Sequence, residues 1–536
     1  MIDLLNKRVR LLTTSAALAL LVTATPQAFA ATPPDTLVLA WAIDDIISLD
    51  PAEAFEISAG EVMGNTYDRL VRLDINDTSK VTPGVADSWT VSDDGLTYTF
   101  KIKPDLTFAS GNPITAEDVA YSFERAVKLD LTPAFILTQF GLTKENVTEK
   151  AKAADPSTFV FTVDKAYAPS FVLNCLTANV ASIVDKTLLQ EHVANDDFGH
   201  EWLKTNYAGS GPFKMMQWRA NEVLVLERND NYYGDKAKLK RAIYRHMKES
   251  SGQRLALEAG DIDVARNLEP GDLEAVADNA DIGTESAPKG TVYYFSLNQK
   301  NENLAKPEVR EALKYLVDYQ GIGSTFIKGI GEIHQTFLPK GMLGSLDSNP
   351  YSLDVEKAKE LLAKAGLPDG FSVTMDVRNT QPVTGIAESL QQTFGQAGVK
   401  LELIPGDGKQ TLTKYRARNH DIYIGQWGTD YWDPHSNADT FAANPDNSDD
   451  AAAKPLAWRN AWDIPELTQK TAAALLERDE AKRAGMYEEI QKEVLDRGPF
   501  AIIFQQTEVA AHRANVENYK LGPSFDTNLL APVSKE

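Results

Sequence analysis

Short apolar strands alternate with amphipathic helices along nearly the whole chain, and the alternation starts over at Thr291. Such alternation suggests an α/β architecture. Residues 37–41 (LVLAW) read as a first strand and 61–73 as a helix followed by a strand. Phe213 to Trp218 is a strand. The next places Val223, Val225 and Glu227 on one face and Leu224 and Leu226 on the other. A helix ends at Gly260, a plausible C-cap, and 261–265 is the next short strand. After the restart, VYYFSLN is a strand, and Val309, Ala312, Leu313, Leu316 and Val317 follow at helical spacing. Asp354 can cap a helix carrying Ala358, Leu361 and Leu362. FSVTMDV, VKLELI and DIYIGQ read as strands, with Ile386, Leu390 and Phe394 on one helical face among them. A helix over 480–494 then leads to FAIIFQ, a strand that returns to an earlier sheet.

Residues 83–127 are the most specific stretch. Tyr98, Phe100 and Ile102 alternate with Thr99, Lys101 and Lys103, the period of a half-buried strand, and Asp94-Gly95 upstream signals a turn. Trp89 to Ile102 is therefore expected to form a hairpin. Thr115 can cap the helix that follows, with Glu117 and Asp118 in its first turn and Val119, Phe123, Ala126 and Val127 on its apolar face.

The N-terminus reads as a processing segment. Lys7, Arg8 and Arg10 precede a short apolar run, and Ala28-Phe29-Ala30 forms an A-x-A site, so residues 1–30 are expected to be a signal peptide cut after Ala30. The run is too short for a membrane anchor, which needs roughly 20 apolar residues. The remaining 506 residues exceed what one core covers, so two or three subdomains are expected. Three bases and one acid leave with the leader, which takes the net charge from −22 to −24. So acidic a surface argues against nucleic acid or an anionic membrane as partner. Cys175 stands alone, which excludes an internal disulfide, and its neighbours Val172, Leu173 and Leu176 suggest a buried thiol.

The order of residue types over 83–127 closely resembles the signature block of the family 5 extracellular solute-binding proteins. These are the periplasmic peptide-, nickel- and oligosaccharide-binding subunits of ABC importers. GSGPFKMMQW, VLERNDNYYG, EVREALKYLVDY, DVEKAKELLAKAG and DRGPFAIIFQ resemble the family as well, and the likeness covers almost everything after Ala30. Val317-Asp318-Tyr319 departs from it, since the family usually has an Asp-Arg pair there. The resemblance implies a type II-like periplasmic binding protein, with two α/β lobes hinged around a cleft and an extra domain. By analogy lobe I takes 31–77, 198–290 and 500–536, the extra domain 78–197 and lobe II 291–499, with hinges near residues 290 and 500.

Catalytic signatures are missing from the sequence. There is no G-x-S-x-G, P-loop, H-E-x-x-H or C-x-x-C. The seven histidines, at 192, 200, 246, 334, 420, 435 and 512, show no i, i+3 or i+4 pairing. Neither enzymatic activity nor a metal or cofactor is expected.

The sharpest local constellation is Trp427-Gly428-Thr429-Asp430-Tyr431-Trp432-Asp433-Pro434, three aromatics and two acids directly after a buried-looking strand. Ligands of α/β proteins sit at such strand ends. In peptide-binding relatives a Trp-x-x-Asp here supplies the carboxylate that meets the peptide's α-ammonium group. The resemblance maps that role onto Asp430, with Trp427 as a cleft wall and Tyr431 and Trp432 beside it. The alternative for Asp430 is a turn or cap carboxylate; for Asp433, which precedes a proline, the turn reading is preferred. Arg378 lies one position from the arginine that takes the ligand's carboxylate in dipeptide-binding relatives, and it is also readable as a surface base. Phe55 and Glu56 fall in a segment resembling a family loop that contacts ligand from the other lobe, though that segment also reads as solvated.

These features lead to the expectation of a monomeric periplasmic binding protein that delivers short peptides to the permease and ATPase subunits of an ABC importer. Two rivals remain: an oligosaccharide- or opine-binding subunit, which the aromatics would serve by stacking, and a secreted hydrolase, which the missing motifs disfavour.

Overall fold

The computed structural model describes residues 32–78, 80–451 and 453–536. The expected signal peptide and its cut after Ala30 lie outside the described residues. The expected α/β fold class holds. An 11-stranded mixed sheet forms the backbone of the molecule, and a separate four-stranded antiparallel sheet lies apart from it.

Two long strands, Ile282–Leu297 and Phe500–Arg513, occupy the middle of the large sheet and pair antiparallel. Their register shifts twice, between Pro288 and Val292 and again between Tyr293 and Tyr294. Ile282 to Pro288 face Arg513 to Thr507, the register then shifts, and Val292 to Ser296 face Gln505 to Phe500. On one side of this pair the sheet continues through Val264–Ala265, Thr36–Trp41, Arg241–His246, Val223–Arg228 and Phe213–Arg219. On the other it continues through Ile422–Gly428, Ser372–Arg378 and Lys400–Gly406, which run parallel to one another. Each half packs its own apolar clusters, with Leu37, Leu39, Leu224 and Leu226 fully buried in one and Phe295, Leu313, Leu390 and Ile424 in the other. The two halves thus share only the long strand pair as continuous sheet.

Local sequence rules account for the elements. The hairpin pairs Ala86–Val91 with Thr97–Ile102, and Gly95 takes the positive φ that the turn demands. Thr115 and Asp118 form a reciprocal capping box at the start of helix Ala116–Leu129. Val119, Phe123, Ala126 and Val127 are buried against the four-stranded sheet. Asp354 caps helix Val355–Lys364 by accepting the Lys357 N–H at 2.9 Å, and Gly260 ends helix Ser250–Ala259 in the left-handed conformation. Cys175 is fully buried. Asp318, in the segment that departs from the family pattern, caps helix Tyr319–Ser324.

The four-stranded unit docks onto the half-sheet of Ile422–Gly428 through aromatic packing. Phe171, on helix Pro169–Cys175, meets the ring of Tyr431 edge-on at 5.8 Å between centroids and that of His435 at 5.4 Å. Among the described residues no helix is long and apolar enough to cross a membrane.

Candidate functional site

A cavity of about 330 Å³ opens where the register of the two long strands breaks. Four parts of the chain wall it: the loop around Phe55, turns of the four-stranded unit near Ile136 and Asn179, the strand-end residues 289–291, 426 and 428–432, and the C-terminal turn at 523–526.

The segment after strand Ile422–Gly428 is fixed from both sides. Thr429 donates its backbone N–H (2.9 Å) and its hydroxyl (2.7 Å) to the Gly290 carbonyl. Gly290 must lack a side chain, since an added Cβ would come within 2.9 Å of the Thr429 hydroxyl and 3.0 Å of the Trp432 ring. The Asp430 N–H donates to the Ser436 hydroxyl at 2.9 Å. Asp433 caps helix Pro434–Phe441 by accepting the His435 N–H at 2.9 Å, and its buried carboxylate takes two hydrogen bonds, 2.7 and 2.8 Å, from Arg483. The turn reading of Asp433 fits this placement.

The Asp430 side chain has none of these ties. Among the described residues its carboxylate accepts no hydrogen bond and meets no cation, and it lines the cavity. Burial, with a smaller push from Asp439, raises it to about 7. Tyr431 and Trp432 line the same cavity, each mostly buried, and the Trp432 indole N–H has no partner among the described residues. Phe55 and Glu56 line it too, Phe55 set edge-on to Phe135 at 6.0 Å. The Glu56 carboxyl accepts the Phe55 N–H at 3.2 Å, and burial raises its pKa.

The structure therefore brings together five of the seven residues singled out from sequence: Phe55, Glu56, Asp430, Tyr431 and Trp432. Trp427 is half-buried against an apolar cluster beneath the sheet and does not line the cavity. Arg378 ends strand Ser372–Arg378, exposed, with its guanidinium packed against Gly408; it too lies outside the cavity lining.

Sequence reasoning missed the polar floor. Lys289, 1% exposed, lines the cavity and donates to the Gly522 carbonyl at 2.6 Å and the Asn528 side chain at 3.0 Å. It also pairs with Glu508 at 2.7 Å. Glu508 pairs in turn with Arg266, which pairs with Glu61 at 2.9 Å, so two acids and two bases balance in one buried network. Burial alone would raise Glu508, but Arg266 and Lys289 outweigh it and hold it at about 2. Burial lowers Lys289, an effect that Glu508 offsets only in part. The available signal was a lysine between Pro288 and Gly290 at the edge of an apolar strand. A second cavity of about 650 Å³ lies beyond the Arg69–Asp526 ion pair (2.7 Å) and shares Leu73, Thr177 and Asp526 with the first.

Comparison with known proteins places this architecture. The model of the bacterial extracellular solute-binding proteins, family 5 (middle region) matches residues 80–449. The chain is 30% identical over 510 residues to the probable D,D-dipeptide-binding periplasmic protein DdpA of Escherichia coli K12, covering 94% of this chain and 95% of the relative. It is 26% identical over 475 residues to the dipeptide-binding protein of the same organism, covering 85% and 86%. Among solved structures, the ABC transporter-associated periplasmic binding protein DppA of Helicobacter pylori, in complex with the peptide STSA, aligns with a TM-score of 0.78 at 25% identity. That alignment covers 94% of this chain and 98% of the other.

Proposed function

The chain belongs to the bacterial extracellular solute-binding proteins of family 5, and on that premise we propose that it binds short peptides in the cavity beside Asp430. It is a periplasmic protein and acts by binding, in keeping with its family. Peptide as ligand is supported by the relatives named for dipeptides and by the neighbour holding STSA. The bound form is handed to the permease and ATPase subunits of an ABC importer.

One observation carries the reading: a desolvated carboxylate just past the end of a central strand, lining a cavity, with no cation partner among the described residues. The α-ammonium group of a peptide supplies that cation through a charge-assisted hydrogen bond. Leaving one partner of such a pair buried alone costs about 2–5 kcal/mol. Trp432, Tyr431 and Phe55 supply apolar surface to the same cavity. In the lobe assignment we adopt, 31–77, 198–290 and 500–536 form lobe I, 78–197 the extra domain and 291–499 lobe II. Ligand touching both lobes favours the closed form through contacts that the open form lacks. Phe55 and Glu56 then meet ligand from one lobe and Asp430 from the other. The register break near Gly290 suits a hinge.

Mass spectrometry of ligands that co-purify with the protein from its native periplasm tests this. A mixture of short peptides is expected; a single glycoside or opine would overturn the reading.

A further inference from the structure

The charges around the cavity do not balance, and the imbalance narrows the ligand. Four charge-bearing acids and bases among the described residues line it: Glu56, Lys289, Asp430 and Asp526. Lys289 is spoken for by Glu508 at 2.7 Å, within a buried network that is itself neutral. Asp526 is spoken for by Arg69 at 2.7 Å. Glu56 and Asp430 meet no cation among the described residues. Glu56 precedes helix Ile57–Thr66, yet its side chain caps none of that helix's N–H groups.

The two free carboxylates occupy separate points. Glu56 enters the cavity from the turn before helix Ile57–Thr66 and Asp430 from the turn after strand Ile422–Gly428, two parts of the chain far apart in sequence. A ligand with one ammonium group would neutralise one of them and leave the other desolvated and unpaired, which is costly.

We propose that the ligand carries two positively charged groups in addition to its C-terminal carboxylate, as a short peptide with a free α-ammonium group and a lysine or arginine side chain. The inference rests on the peptide-binding reading above and specifies its substrate class. Asp430 takes the ammonium group and Glu56 the basic side chain, across a cavity whose volume lies near the lower end for small-ligand sites and so suits a ligand of about two residues. A glutamate side chain beside Glu56 would set like charges together in a poorly solvated space, so the same residue rejects acidic peptides.

Titration calorimetry on the mature chain, freed of bound ligand, tests this at pH 7.5 with Ala-Ala, Lys-Ala, Ala-Lys, Glu-Ala and Ala-Glu. At least one lysine dipeptide is expected to bind about tenfold or more tighter than Ala-Ala, with the glutamate dipeptides weakest. In Glu56→Gln the ratio of lysine-dipeptide to Ala-Ala affinity is expected to fall toward one, a change that a general loss of folded protein does not produce. Equal affinities across the set, a preference for glutamate, or a lysine preference that survives Glu56→Gln overturns the two-charge inference and leaves the peptide reading standing. Failure of every dipeptide to bind overturns both.

Discussion

Asp433 and Arg483 join through two hydrogen bonds of 2.7 and 2.8 Å, both side chains buried, while Asp430, three residues earlier, meets no cation among the described residues. One turn thus carries a carboxylate committed to holding the fold and another left for a ligand. The two should respond oppositely to substitution.

Arg483→Met is expected to destabilise the protein by about 3–5 kcal/mol, because it leaves the Asp433 carboxylate buried without its cation. Chemical denaturation followed by circular dichroism measures this. A loss below about 1 kcal/mol, the range of exposed pairs, would show that the pair is not buried in solution.

Asp430→Asn should act the other way on the ligand-free protein. Asp430 has a folded-state value of about 7 against an ordinary 3.8, so keeping it ionised in the fold costs stability. Its contribution to stability is whole below pH 3.8 and falls away as pH rises through 7. The variant is therefore expected to melt at a higher temperature than the parent at pH 8 and at the same temperature near pH 3.5. Equal melting at pH 8 would contradict the desolvated site.

Peptide affinity should depend on pH for the same reason. Below pH 7 the ligand must displace a proton from Asp430, so affinity is expected to fall by up to about tenfold per pH unit between 7 and 5. Calorimetry in buffers of different ionisation enthalpy should show proton release on binding at pH 6.5. Asp430→Ala is expected to weaken binding by about 30-fold to several thousand-fold and to flatten the pH profile.

Lys289→Met removes one base from the balanced network under the cavity. Glu508, held at about 2 against an ordinary 4.5, contributes stability above pH 4.5 that is lost as pH falls toward 2. Without Lys289 its pKa rises, and the midpoint of acid unfolding is expected to move to higher pH. A midpoint unchanged from the parent would place the stabilisation on Arg266 alone.

Gly290→Ala puts a Cβ where the Thr429 hydroxyl and the Trp432 ring approach to about 3 Å. Over-packing of this kind costs about 1–3 kcal/mol. Here it also displaces the segment that presents Asp430, so peptide affinity should fall along with thermal stability. Serine at 290 should behave like alanine, because the added Cβ is the cause.

The hairpin at Asp94-Gly95, the capping box of Thr115 and Asp118 and the cap by Asp354 were all legible, because each is settled by residues within a few positions of one another. Trp427 and Arg378 show where local reading stops. Both stand near the strand ends that form the site, yet one packs beneath the sheet and the other lies outside the lining. A side chain's place beside a strand end is decided by neighbouring strands and the helices that cover them. Lys289 shows the converse, since its partners Glu508 and Asn528 lie far away in the chain and nothing nearby announces them.

By itself the sequence determined the α/β alternation, the element types and their caps, since periodicity and capping act over a few residues. The tertiary structure decided which charges are spent. Asp433 found Arg483 and Lys289 found Glu508, while Glu56 and Asp430 were carried into one cavity from distant parts of the chain and meet no cation among the described residues. Desolvation and ion pairing depend on what folding packs around a group, so the identity of the free carboxylates became fixed only when the chain closed.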